Sequence, residues 1–237
     1  MTSGPIPVAI RLPDGLVLRG HEWSRDGPAV LFLHDLGDDL DVWGSVTDGL
    51  AQQGFRVISV ELRGHGLSDG EPDQARLRDD LVALLGEVSG SFGPVALVAY
   101  GRITELMLYL DEDQGAPVQV MVAPLPLESE PIDWRATRSA LRLVLKAALH
   151  EPVAEHVNFI YPRMKGQNLQ VAAASDQEGP ALLEDQPQLL EHSVMFLRRY
   201  LTGYHLAWIS QHSEQIKAHR DEQKAAAQAT EARPPSN

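Results

Sequence analysis

The residues of this chain that bear most directly on chemistry lie at Ala99-Tyr100-Gly101-Arg102-Ile103. A short apolar run, Val95 to Val98, leads into them, and Ile103, Leu106, Met107 and Leu110 follow at helical spacing. A buried strand that turns sharply into a helix presents its apex residue above the end of a sheet. Where that residue is the serine of G-x-S-x-G, the turn holds a nucleophilic hydroxyl in place. Acyl transfer then needs a base within hydrogen-bond reach, an acid to orient it, and N–H donors for the oxyanion. Here the apex falls on Gly101, with Ala99 and Ile103 at the flanking glycine positions. Glycine has no side chain to attack with, so the nucleophile position is vacant.

The elements that must hold this turn are legible as alternating strands and helices. Val8–Leu12 and Leu16–Trp23 flank Pro13-Asp14-Gly15 and predict a hairpin. The continuous apolar run Ala29–Leu33 predicts a strand covered on both faces, and Arg56–Leu62, Val95–Ala99 and Val118–Val122 read as further strands. Helices are predicted over Val42–Gln53, closed by Gly54, over Leu77–Val88, and over Ile103–Leu110. The order implies an α/β fold with a doubly wound, mostly parallel sheet. Residues 124–166, with Pro124, Pro126 and Pro131 and a predicted helix from Trp134 to about Leu149, are expected to form a small helical cap. Leu169–Ala174 resumes as a strand, and Gln188–Leu201 reads as an amphipathic helix with Gly203 as its stop. The domain therefore spans 1–203, and 204–237 form a polar helical to disordered tail.

Composition narrows the partners. The chain has 237 residues, 43% of them hydrophobic and 22% charged, as in an ordinary soluble domain with a full core. A formal charge of −13 argues against nucleic acid and anionic membrane surfaces. With no cysteine there is no disulfide, thiol nucleophile or thiolate-bound zinc. No apolar run approaches a membrane span, and the first residues carry no export signal, so the expected location is cytoplasmic. Asp35, Asp38, Asp39 and Asp41 cluster without the spacing of a calcium loop, and no metal or cofactor is expected.

Four segments in fixed order resemble the α/β-hydrolase superfamily, in particular its monoacylglycerol-lipase and lysophospholipase-like branch. Leu31-Phe32-Leu33-His34-Asp35-Leu36-Gly37 is similar to the strand and turn that supply half of the oxyanion hole, and Val60-Glu61-Leu62-Arg63-Gly64-His65-Gly66-Leu67-Ser68 resembles D-x-R-G-H-G-x-S. The turn at Gly101 resembles the nucleophile elbow, and Ala173-Ala174-Ser175-Asp176 the strand that ends in the triad acid. The resemblance implies Asp176 as candidate acid and the amides of Leu36 and Arg102 as oxyanion donors. His34, Asp35, Leu36, Tyr100 and Arg102 would line the pocket.

The departures from that pattern decide the functional expectation. Asp35 puts a carboxylate where an oxyanion would develop, and Arg102 is expected to pair with Asp35 or Asp176. In the family a helix and a strand follow the acid before the histidine; Gln177–Pro187 is too short for both, so the histidine segment reads as absent and the C-terminal end as shortened. His192 falls within a helix and is expected at the surface. Gly66-Leu67-Ser68-Asp69-Gly70 matches G-x-S-x-G in letters, but it lies in a polar loop with no apolar helix after it. The sequence thus predicts a hydrolase-fold protein without serine hydrolysis that binds a small apolar or acidic ligand or a protein partner, including a second copy of itself. The alternative is an active carboxylic-ester or acylglycerol hydrolase with a non-standard nucleophile or base.

Overall fold

The computed structural model describes residues 4–23, 27–127 and 131–231, with side chains to 214. Its frame is one sheet in the order β1-β2-β4-β3-β5-β6-β7-β8. β1 (Ile6–Arg11) and β2 (Val17–Trp23) form the expected hairpin, closed where the Leu12 N–H donates to the Leu16 carbonyl at 2.8 Å. β2 lies antiparallel to β4 (Arg56–Val60) so closely that a Cβ on Gly20 would stand 2.2 Å from the Ser59 carbonyl oxygen. From there every pairing is parallel, through β3 (Ala29–Leu33), β5 (Ala96–Gly101), β6 (Val118–Pro124), β7 (Ala140–Ala147) and β8 (Gly166–Ala173). β3, β5 and β6 are buried along their whole length, which is why their sequences are almost wholly apolar rather than alternating, with Gln119 of β6 the polar exception.

Helices cover both faces. α1 (Ser45–Gln52) buries Val46 and Leu50, and α2 (Leu77–Phe92) buries Leu77, Leu81, Leu84, Leu85 and Val88, the stripe its periodicity predicts. α3 (Glu151–Ile160) joins β7 to β8, and α4 (Ala181–Asp185) leads into α5 (Pro187–Glu231). The predicted helix after Gly101 is a 3-10 helix, Arg102–Tyr109, with Ile103, Leu106 and Met107 still buried. α5 does not stop at Gly203; it runs through it and bends at His212. Gly203 is exposed and nothing crowds it, so the helix bears it at a modest propensity cost of about 1 kcal/mol. No helix among the described residues is long and apolar enough to cross a membrane.

The expected cap is overturned. The helix expected from Trp134 to about Leu149, and with it the helical cap over 124–166, gives way to β7 and the crossover helix α3. β7 is a full member of the sheet, paired with β6 from Val118↔Leu141 to Val122↔Leu145 and with β8 along its length. Arg142 is completely buried, with Nε on Gln119 Oε1 at 2.8 Å and its other nitrogens on the carbonyls of Lys165, Met107, Leu110 and Arg138. Burial pulls its pKa down to about 10, so it still carries its charge at neutral pH and spends it on five acceptors.

Candidate functional site: an elbow closed by its own carboxylate

β5 delivers the elbow. Its register with β6 slips after Tyr100, where Gly101 pairs with Pro124 and Ala123 is left as an extra residue at φ 43°. Such a bulge turns the strand end and re-aims the residues beyond it. Gly101 sits at φ 65°, ψ −138°, a conformation that favours glycine, and its carbonyl takes the Thr104 hydroxyl at 2.6 Å and the Leu125 N–H at 3.1 Å. The backbone has the tight shape of a nucleophile turn. The apex has no nucleophile.

Asp35 fills the place of that side chain. A Cβ at position 101 would stand 2.4 Å from Asp35 Oδ2 and 2.7 Å from its Cγ. The carboxylate is buried, with only 7% of the side chain exposed, and it is held from two directions by one residue. The Arg102 backbone N–H donates to Oδ1 at 3.1 Å, and Arg102 Nε donates to Oδ2 at 3.0 Å. Nη2 of the same guanidinium reaches the Leu36 carbonyl at 2.6 Å. The Arg102 amide is the donor an acyl-transfer site would aim at its oxyanion. Here it already serves a resident anion, and of the two partners open to Arg102 the structure selects Asp35.

The remaining groups around the elbow are also committed. The Tyr100 hydroxyl donates to Asp38, and burial together with that carboxylate pushes its pKa well above the ordinary phenol value. Its ring meets Trp43 edge-on at 5.3 Å, and Gly179 lies so close that a Cβ there would be 2.9 Å from it. His34 is wholly buried, accepts the Leu62 N–H on Nε2 at 2.9 Å, and pairs Nδ1 with the Asp35 carbonyl at 2.8 Å. Both bonds require the neutral tautomer protonated on Nδ1, and burial lowers its pKa accordingly. His65 is used the same way: the Gly37 N–H donates to Nε2 at 3.1 Å, and Nδ1 meets the Arg63 carbonyl at 2.8 Å. Arg63 in turn is clamped on Asp80 and Asp14. Ser68 donates to the Glu61 carbonyl at 2.7 Å and accepts the Arg19 N–H at 2.8 Å, a loop-tying role.

The acid and base positions need reassignment. Ala173-Ala174-Ser175-Asp176 ends the last strand, β8, not the one before it. The acid strand of the family is followed by a helix and a strand, and β7, α3 and β8 supply that succession. The terminal strand is therefore present, and only its histidine is missing from residues 174–180. Asp176 is exposed and accepts from the Gln177 side chain at 2.8 Å; among the described residues no bond joins it to a histidine. The loop after β7 instead carries His150, whose Nδ1 accepts the Val153 N–H and caps α3. Its Nε2 lies 3.5 Å from Glu178 Oε2, in the loop after β8. A histidine and a carboxylate thus occupy the ends of the last two strands in the reverse of the family's order. The only sequence signal for this was His150-Glu151-Pro152, a helix start that the strand misread as a helix concealed.

A void of about 10 Å³ lies between the sheet and α5, bordered by Phe32, Val98, Val122 and Leu197, and a depression of about 430 Å³ lies beside Asp14, Arg76 and Asp80. Neither touches Gly101 or Asp35. No group of three or more metal-ligating side chains occurs among the described residues.

Residues 28–100 match the alpha/beta hydrolase fold family. An esterase of Pyrococcus furiosus superposes with a TM-score of 0.67 at 15% identity, over 84% of this chain and 91% of that one. The chain has the α/β-hydrolase fold. In sequence it is similar to an esterase of Mycobacterium tuberculosis, 28% identical over 45% of this chain and 36% of that protein. It is also similar to an uncharacterized protein of the same organism, 49% identical over 22% of this chain and 15% of that protein. The match thus spans less than a sixth of that relative's length.

Proposed function

We propose that this protein uses the α/β-hydrolase fold without serine hydrolysis at its elbow, and acts by binding a small apolar or acidic ligand or a protein partner. One observation carries this reading: the Asp35 carboxylate stands where a nucleophile's side chain would be and accepts the Arg102 amide. A resident anion at that amide opposes a second negative charge there. A broad serine-reactive phosphonate tests the reading on the intact protein. No adduct is expected by mass spectrometry, and stoichiometric labelling would overturn it.

The His150–Glu178 pair, with the esterase relative, supports a second reading as a carboxylic-ester hydrolase with a non-standard base. To act as that base, His150 must release the Val153 N–H from Nδ1, since its Nε2 faces Glu178. That reading requires measurable turnover of small esters that His150→Ala lowers at least about a hundredfold. Absent turnover in the parent protein leaves the first reading alone.

A further inference from the structure

We propose that two copies of this chain pair through the outer face of α5, antiparallel about a twofold axis beside Leu206. The helix has two distinct sides. Its inner side, with Leu197, Leu201, Tyr204 and Trp208, rests on the domain. Trp208 lies against Gly93, where a Cβ would stand 2.6 Å from the indole, and the Tyr204 hydroxyl donates to Glu112 at 3.4 Å. Gly93 and Glu112 precede the parallel strands β5 and β6, so α5 crosses the end of the sheet opposite the elbow.

The outer side has no partner among the described residues. Arg199, Gly203, Leu206, Ser210 and Glu214 follow one another at steps of three or four, which sets them on one face, and Ala207 flanks them. All six are exposed, and Leu206 is 60% exposed, as is Met195 one turn before Arg199. Nothing within the chain calls for Gly203. Its φ is not positive and a Cβ there would meet no atom within 4 Å, yet a glycine inside a helix weakens it. Such a glycine serves where a second backbone approaches closely.

The same face identifies the partner as a second copy, because it is complementary to itself when reversed. Turned about Leu206-Ala207, it sets Leu206 opposite Ala207 and Gly203 opposite Ser210, so the one large side chain at the crossing meets a small one and the backbones can close up. That register also carries Arg199 of each copy to Glu214 of the other. Both charges are available. Among the described residues Arg199 makes only a ring contact, with Tyr200 at 5.6 Å, and Glu214, just past the bend at His212, makes no hydrogen bond or ion pair. Two copies of charge −13 repel one another, and the two Arg–Glu pairs oppose that repulsion at the contact. The pairing is independent of what the elbow does, since it leaves Gly101 free at the far end of the sheet.

Sedimentation velocity on the full chain, over about a hundredfold range of concentration, reads the assembly directly. A reversible dimer is expected. Gly203→Gln puts a side chain where the backbones meet and should weaken the dimer at least about tenfold. Its helix content by circular dichroism should stay at or above the parent's, because glutamine is the better helix former, so lost association is not lost folding. Arg199→Glu should also weaken the dimer, and Arg199→Glu with Glu214→Arg should restore it to within about threefold of the parent. A monomer at every concentration, a dimer indifferent to Gly203→Gln, or a reversed pair no tighter than Arg199→Glu alone would overturn the proposal.

Discussion

Replacing Gly101 with serine is expected to destabilise the fold by about 3–5 kcal/mol without creating an esterase. The backbone at φ 65° holds a non-glycine residue only under strain, which costs about 1–3 kcal/mol. The new Cβ would also stand 2.4 Å from Asp35 Oδ2, so the carboxylate must leave its pocket. Leaving breaks the bonds from the Arg102 amide and Nε, and charge-assisted bonds of this kind contribute about 1.5–3 kcal/mol. Urea denaturation at unchanged m reads the sum as a shift in midpoint. The decisive comparison is the double variant Gly101→Ser with Asp35→Gly. Two independent losses would add, whereas removal of the obstructing carboxylate should recover about 1–2 kcal/mol of the single variant's loss. Neither variant should hydrolyse a short-chain nitrophenyl ester efficiently, because His34 and His65 are bound to backbone and residues 174–180 hold no histidine. A Gly101→Ser protein within about 0.5 kcal/mol of the parent, or a strictly additive double variant, would refute the steric argument. Fast turnover would refute the chemical one.

Three further outcomes concern buried groups. Arg142→Met should cost about 3 kcal/mol or more in denaturant midpoint, because it strips donors from Gln119 and from four carbonyls in a dry site; a loss below about 1 kcal/mol would deny the guanidinium that role. Gly20→Ala should destabilise by about 3 kcal/mol or fail to fold, since its Cβ would lie 2.2 Å from the Ser59 carbonyl of the neighbouring strand, and a parent-like melting curve would contradict the close approach. His156, buried beside Glu105, has its pKa lowered by burial from 6.5 to about 4. Between those values the unfolded chain binds a proton that the folded chain refuses, so its contribution to stability falls as pH drops from about 6.5 toward 4. His156→Leu should therefore gain on the parent by up to about 3 kcal/mol across that window, and parallel stability curves would refute the assignment. Glu105, raised by burial, acts in the opposite sense and remains in both proteins.

The features legible in the sequence and those hidden from it share a cause. β3, β5 and β6 are read correctly from short apolar runs because nothing in them suits a helix surface. Ala140-Leu141-Arg142-Leu143-Val144-Leu145-Lys146-Ala147 combines good helix formers with basic residues that also fit a helical stripe, so local preference points the wrong way. The tertiary cage of acceptors around Arg142 explains how a charge can sit completely buried in a mostly buried strand. That single misreading propagates: with β7 counted as a cap, β8 takes its place as the acid strand, and His150 escapes notice. The vacancy at Gly101 is legible because it needs one position and a turn. Its occupation by Asp35 is not, since a contact so distant in sequence depends on how β3 and β5 lie side by side.

The Asp35–Arg102 contact also gives the chain's history a direction. If a serine once stood at position 101, its loss had to come before or together with the entry of Asp35, because both side chains cannot share that space. Return is ordered in reverse. Loss of the carboxylate leaves Arg102, whose side chain is 40% exposed, free to turn toward water, a step with moderate penalty. Serine first meets the carboxylate head-on and passes through the least stable protein of the series. Asp35 therefore works as a ratchet: once in place, it makes single-step reversion at the apex the costliest route back.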